Sequence, residues 1–97
     1  MEVEFGSNRL ELCYANMAMA VRNWGSAAGS RYGRVVDALY NASDRHELSE
    51  FRSLRLHPLR GDRQGQWAIV LHDRWRVILT FREDVVRIEE VTQHYGD

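Results

Sequence analysis

The chain has no lysine, one cysteine, one proline and no long apolar run among its 97 residues. Each shortage excludes something. A lone Cys13 forms no internal disulfide, so the fold must rest on a hydrophobic core, and a reducing, cytoplasmic setting is expected. No stretch approaches the ~20 apolar residues that cross a bilayer. Met1 leads into Glu2-Val3-Glu4, unlike the cationic start of a signal peptide, and no membrane contact is expected. His46, His57, His72 and His94 stand singly, none at ligand spacing to Cys13, so no metal is expected. The run Gly61-Asp62-Arg63-Gln64-Gly65 lacks the Lys-Ser/Thr ending of a phosphate-binding loop, and no Ser or Cys sits in a nucleophile elbow. No cofactor is implied, and the chain is too short to house a dinucleotide-binding domain.

What is present suits a single domain over residues 1–97. The 44% hydrophobic content, rich in aromatic side chains, builds one core and excludes a disordered chain. The formal charge of −1 conceals an asymmetry. All thirteen cations are arginine, and six of them (Arg52, Arg55, Arg60, Arg63, Arg74, Arg76) fall in one segment that holds only Asp62 and Asp73 against them. From Arg82 to Asp97 the balance reverses, with two arginines against five carboxylates. The planar guanidinium fork suits phosphate, although a solvated surface of mixed charge explains the count equally well.

Hydrophobic spacing divides the chain into a helical half and a strand half. Val3 and Phe5 are spaced as in a strand, and Gly6-Ser7-Asn8 offers a turn with a helix N-cap. Leu10, Cys13, Tyr14, Met17, Val21 and Trp24 recur at three and four residues and predict one amphipathic helix, interrupted at Gly25-Ser26. Tyr32, Val35, Val36, Leu39 and Tyr40 predict a second, ending near Ser43-Asp44. The alternation in 52–56 predicts a half-buried strand that Pro58 ends or places at an edge. Trp67, Ile69 and Leu71 share one face of a strand that ends in a turn at His72-Asp73. Trp75, Val77, Leu79 and Phe81 share a face of the next strand, with Arg76 on the other face. A turn at 82–84 and a last strand over 85–91 complete an antiparallel meander. The expected fold is α+β: an N-terminal strand and a two-helix hairpin packed on a mostly antiparallel, twisted sheet of 4–5 strands.

The strand half also carries the candidate chemistry. Arg76 points away from the core, His57 precedes Pro58 at a strand rim, Arg60 and Arg63 follow in the loop, and His94 and Tyr95 follow the last strand. If these strands are neighbours, imidazoles and guanidinium groups converge on one sheet face, a combination that suits a phosphodiester. Taken one at a time, each residue is more readily an ordinary surface side chain, and Arg60 or Arg63 has Asp62 as a ready partner.

The run Leu56-His57-Pro58-Leu59-Arg60-Gly61-Asp62-Arg63-Gln64-Gly65-Gln66-Trp67-Ala68-Ile69, followed by Asp73-Arg74-Trp75-Arg76-Val77, resembles the HigB group of the RelE/ParE toxin superfamily. The pattern of that group is close to L-x-P-L-x-G-D-R-x-G-x-W-S-I, then a short turn and Q/R-W-R. The resemblance implies a RelE/ParE-like fold and a ribosome-dependent endoribonuclease that cuts mRNA in the ribosomal A site. Such toxins use the RNA 2′-hydroxyl as nucleophile. It also implies a HigA-like helix-turn-helix antitoxin as partner, in a hetero-oligomeric complex that binds operator DNA through the antitoxin. By the same resemblance His57, Arg76, His94 and Tyr95 are catalytic, and Arg60, Arg63 and Arg74 hold phosphate.

Two departures accompany the match. Many relatives end the last strand in Asp-Tyr-His, where this chain has Gln93-His94-Tyr95. The chain is also mildly acidic where RNA-cleaving relatives are basic, so attraction for phosphate must come from a local patch. Two other functions suit the same superfamily: a ParE-like gyrase poison that only binds, and a degenerate toxin that survives as the antitoxin's partner.

Overall fold

Two short polar residues punctuate the first helical stretch. The computed structural model describes residues 1–94, and in it β1 (Glu2–Phe5) runs into Ser7, whose Oγ accepts from the Leu10 amide at 3.2 Å and starts α1 (Asn8–Ala15). At Asn16 the backbone becomes extended (φ −137°, ψ 100°), and its side-chain oxygen accepts from the Met19 amide at 3.3 Å to start α2 (Met17–Trp24). The single helix predicted over 10–24 is therefore two. An Asn side chain competes for backbone donors, and here it serves as a cap rather than as an interior residue. Met17, counted in the apolar stripe, ends up 59% exposed at the break.

Gly25, at φ 87°, turns the chain into the long helix α3 (Ser26–Asn41), which lies tightly against α2. A Cβ on Gly29 would stand 2.5 Å from the Val21 nitrogen, so only glycine permits that approach. Within the core, Tyr32 donates its hydroxyl to the Leu10 carbonyl at 2.9 Å and meets the Trp24 ring edge-on. A short helix absent from the sequence expectation, α4 (Arg45–Ser49), follows. Asp44 caps it by accepting from the Glu47 amide, and Glu47 accepts in return from the Ser43 amide.

The predicted strand over 52–56 is instead a 3₁₀ turn, Arg52–Leu54, followed by Arg55 in the left-handed region (φ 52°). Arg31 on α3 donates to the Ser53 carbonyl at 2.6 Å, which takes that group out of any strand ladder. Pro58 has no amide to offer a neighbour, so β2 is reduced to His57–Pro58 at the sheet edge. The remaining strands, β3 (Trp67–His72), β4 (Trp75–Arg82) and β5 (Val85–Thr92), form the meander as expected, joined at Asp73 and Glu83, each at positive φ. The five-stranded sheet runs β1-β5-β4-β3-β2, with β1 parallel to β5 and the other pairs antiparallel.

One face of this sheet is the core. Tyr32, Val35, Val36 and Leu39 of α3 are buried with Ile69, Leu71, Val77, Leu79, Val86 and Ile88 of the strands, as the period-two pattern of β3 and β4 predicts. The opposite face holds a separate small cluster of Leu59, Ala68 and Ile78. A bulge decides what else lies there. Ile78 pairs with Glu90 but Leu79 pairs with Ile88, so Glu89 is an extra residue in β5. Strict alternation after Val86 and Ile88 would put Glu90 in the core. The bulge turns it to the open face.

Two stability predictions follow from the helical layer. Gly29→Val should lower stability by about 1–3 kcal/mol, because the added side chain forces α2 and α3 apart; urea denaturation monitored by circular dichroism measures it. Burial first, with the charges of Cys13 and Tyr40 adding, pushes the Tyr32 hydroxyl far above the ordinary tyrosine range. A group with a raised folded pKa contributes its full stability below the unfolded value of about 10 and loses it as pH rises further. The wild-type urea midpoint should therefore fall steeply above pH 10. Tyr32→Phe should be less stable at pH 7 by roughly 0.5–1.5 kcal/mol, through the lost hydrogen bond to the Leu10 carbonyl, with a shallower alkaline fall.

Candidate functional site

The strand register aligns the open-face side chains in two rows. Residues paired directly across an antiparallel sheet project to the same side. His57 pairs with Ala68, Ala68 with Ile78 and Ile78 with Glu90, giving one row across β2, β3, β4 and β5. Val70, Arg76 and Thr92 form the next row, nearer the β3–β4 turn. His57 and Arg76 thus stand two strands apart, ~10 Å across the sheet and ~7 Å along it.

The chain between β2 and β3 folds back over this face as a flap. Its anchor is Leu59, which is 3% exposed and packs with Ala68 and Ile78. The flap tightens into a 3₁₀ turn at Gly61–Arg63, where the sequence predicts a loop. Arg63 extends from this turn across to β5. Its Nη1 donates to Gln66 Oε1 at 2.9 Å and to Glu90 Oε2 at 3.1 Å, and its Nη2 donates to the His94 carbonyl at 2.9 Å. The His94 amide in turn donates to Thr92 Oγ1 at 2.9 Å. Arg63, expected to hold phosphate, therefore has both terminal nitrogens engaged within the protein.

His57 is half-buried, with Nδ1 2.7 Å from the Arg55 carbonyl oxygen. A carbonyl only accepts, so Nδ1 carries the proton and Nε2 is the basic nitrogen of the neutral ring. The left-handed turn at Arg55 belongs to the same local geometry, one the expected strand did not provide. Arg76 is also half-buried, and its Nη1 donates to the carbonyls of Asp73 (2.6 Å) and Trp75 (3.1 Å), which fixes the guanidinium at the turn end of the face. Arg60 and Arg74 are exposed at the two rims, one opening the flap and the other in the β3–β4 turn.

Five of the expected site residues, His57, Arg60, Arg63, Arg76 and His94, thus border the open face or its flap, and Arg74 sits at its edge. Tyr95 lies outside the described residues. Sequence reasoning missed Glu90, Thr92 and Gln66. The signal for Glu90 was a charge falling on the buried phase of β5, which only a bulge accommodates. Among the described residues no three His, Cys, Asp or Glu side chains converge as a metal site requires. Cys13 is buried in the helical layer, and burial raises its thiol pKa against a smaller lowering by Arg9. No helix among the described residues is long and apolar enough to cross a membrane.

No model of a known protein family matches the chain. By sequence it is similar to the endoribonuclease HigB of Proteus vulgaris, at 36% identity over 50 residues. That match covers 50% of this chain and 54% of the relative, about half its length. By fold it is similar to a point mutant of YafQ from E. coli, with a TM-score of 0.60 over 93% of this chain and 89% of that one. Sequence identity to YafQ is 15%, so the likeness is one of fold. The chain is therefore similar to HigB over about half its length and shares the fold of YafQ.

Proposed function

We propose that the chain is the toxin of a type II toxin–antitoxin module and that it is an endoribonuclease acting on mRNA in the ribosomal A site. The observation that carries this is the open sheet face: His57 and Arg76 border it, with the His94 backbone fastened beside them. The likeness to a protein named endoribonuclease HigB supports the same assignment.

The reaction needs a base for the 2′-hydroxyl, cations for the pentacoordinate phosphorane and an acid for the leaving 5′-oxygen. In our assignment His57 serves as base through Nε2, the nitrogen left basic when the Arg55 carbonyl holds the Nδ1 proton. The O2′–H bond breaks as O2′ attacks phosphorus, and the proton passes to Nε2. Arg76 stabilises the charge that builds on the non-bridging oxygens, from a position fixed by the Asp73 and Trp75 carbonyls. The bond from phosphorus to O5′ then breaks, and O5′ takes a proton from His94 or Tyr95. The products are a 2′,3′-cyclic phosphate and a 5′-hydroxyl end. Arg60 and Arg74, exposed at the rims, hold flanking phosphates. Arg63 is reserved for a structural task. In this proposal a HigA-like antitoxin holds the toxin inactive.

Arg76→Ala should fold with a thermal midpoint close to wild type, yet cleave programmed-ribosome mRNA about 10²–10³-fold more slowly, the usual cost of removing one transition-state charge donor. His57→Ala should lose about 10²–10⁴-fold. Primer extension on stalled ribosome complexes reads both. Near-full activity in Arg76→Ala would place the phosphate site elsewhere. Growth arrest by a wild-type chain that never cuts RNA would favour the gyrase-poison alternative.

A further inference from the structure

We propose that Glu90 and Arg63 are positioning residues for cleavage, acting through His94; this rests on the nuclease assignment above. Four observations support it. The extra residue at Glu89 turns Glu90 onto the open face, where its carboxylate meets Arg63 at 3.1 Å. Arg63 is mostly buried, with 24% of its side chain exposed, and it bonds three acceptors on two separate parts of the chain. One of these, Gln66, belongs to the flap; another is the His94 carbonyl, 31 residues away. The His94 amide is held from the other side by Thr92, the cross-strand partner of Arg76.

His94 follows the end of β5. Among the described residues, Arg63 holds its carbonyl and Thr92 holds its amide, and the Arg63 bond depends on how Glu90 and Gln66 aim the guanidinium. The fork geometry matters, because three acceptors in different directions suit a planar guanidinium and not a single ammonium. Glu90 also runs against electrostatic expectation for a phosphate-binding face. A carboxylate there repels RNA, so a role in binding would make its removal favourable. A role in positioning makes its removal costly to turnover alone. That difference separates the two.

The test is single-turnover and steady-state cleavage of ribosome-bound mRNA by wild type, Glu90→Ala, Glu90→Gln, Arg63→Lys and His94→Ala, with circular dichroism as a folding control. Glu90→Ala should lower kcat by about 10–30-fold with KM unchanged or lower, and Arg63→Lys should match it despite keeping its charge. Glu90→Gln, which retains an acceptor for Arg63, should recover most of the rate. In a His94→Ala background Glu90→Ala should have almost no further effect, because neighbours that act through one group are non-additive. A raised KM with unchanged kcat in Arg63→Lys, or full additivity with His94→Ala, would overturn the proposal. A second readout needs no activity: amide hydrogen exchange at His94 and across 60–66 should quicken at least tenfold in Glu90→Ala while α3 stays protected. Unchanged exchange would also overturn it. A wild-type chain that does not cut RNA would defeat the nuclease assignment, and exchange would still decide whether the clamp exists.

Discussion

The phase of a single strand governs both layers of this molecule. β4 occupies the middle of the five-stranded sheet, and its alternation sends Trp75, Val77, Leu79 and Phe81 toward the helices and Arg76 and Ile78 to the other side. Side chains on a strand repeat every two residues, so a slip of one would bury Arg76 and expose Val77. The cost of an unpaired guanidinium in the core forbids that slip. The same constraint that forms the core therefore delivers a cation to the opposite face. Neighbouring strands inherit the phase through their register, which is how His57 on β2 and Thr92 on β5 come to share a surface with Arg76.

Among the described residues no helix covers that sheet face, which leaves it either wet or in need of a lid. The solution here is partial. Leu59 covers Ala68 and Ile78, while the Arg63 and Glu90 pair holds the far end of the flap. Exposed ion pairs contribute little to stability, but this one is part of a network with Gln66 and the His94 backbone, and Arg63 is largely withdrawn from solvent. Elsewhere arginine plays similar structural parts: Arg31 ties α3 to Ser53 and Val70, and Arg45 lies 4.4 Å over the Trp67 ring. Of the six arginines in the middle segment, Arg63 is thus engaged within the protein, so a charge count alone does not sort structural arginines from those free to meet a ligand.

Legibility in the sequence followed the strength of local periodicity. The faces of β3 and β4, both tight turns and the α3 stripe from Tyr32 to Leu39 were readable because burial imposes periods of two and 3.6 on consecutive residues, whereas Tyr40, counted in that stripe, is exposed. The break at Asn16 was not, since the apolar stripe continues across it while the side chain switches from surface residue to cap. The 52–56 segment alternates like a strand, yet its carbonyl at Ser53 is claimed by Arg31 from a distant helix. The β5 bulge left one trace, Glu90 on a buried phase. Of the candidate site, His57, Arg76 and the loop residues Arg60 and Arg63 were singled out from a motif, whereas the folding of that loop over the face, the Arg55 carbonyl and Glu90 depend on tertiary geometry that spacing does not encode.

In the proposed function the open face cuts RNA by activating the RNA's own 2′-hydroxyl. The most direct measurement uses ribosomes programmed with an mRNA carrying a single 2′-deoxynucleotide at the mapped cleavage position, beside the all-ribose message. The expected result is cleavage of the all-ribose message to a 2′,3′-cyclic phosphate and a 5′-hydroxyl end, and none at the deoxy position. Equal cleavage of both messages, or a 5′-phosphate product, would show that an external nucleophile does the work and would contradict the roles given to His57 and Arg76.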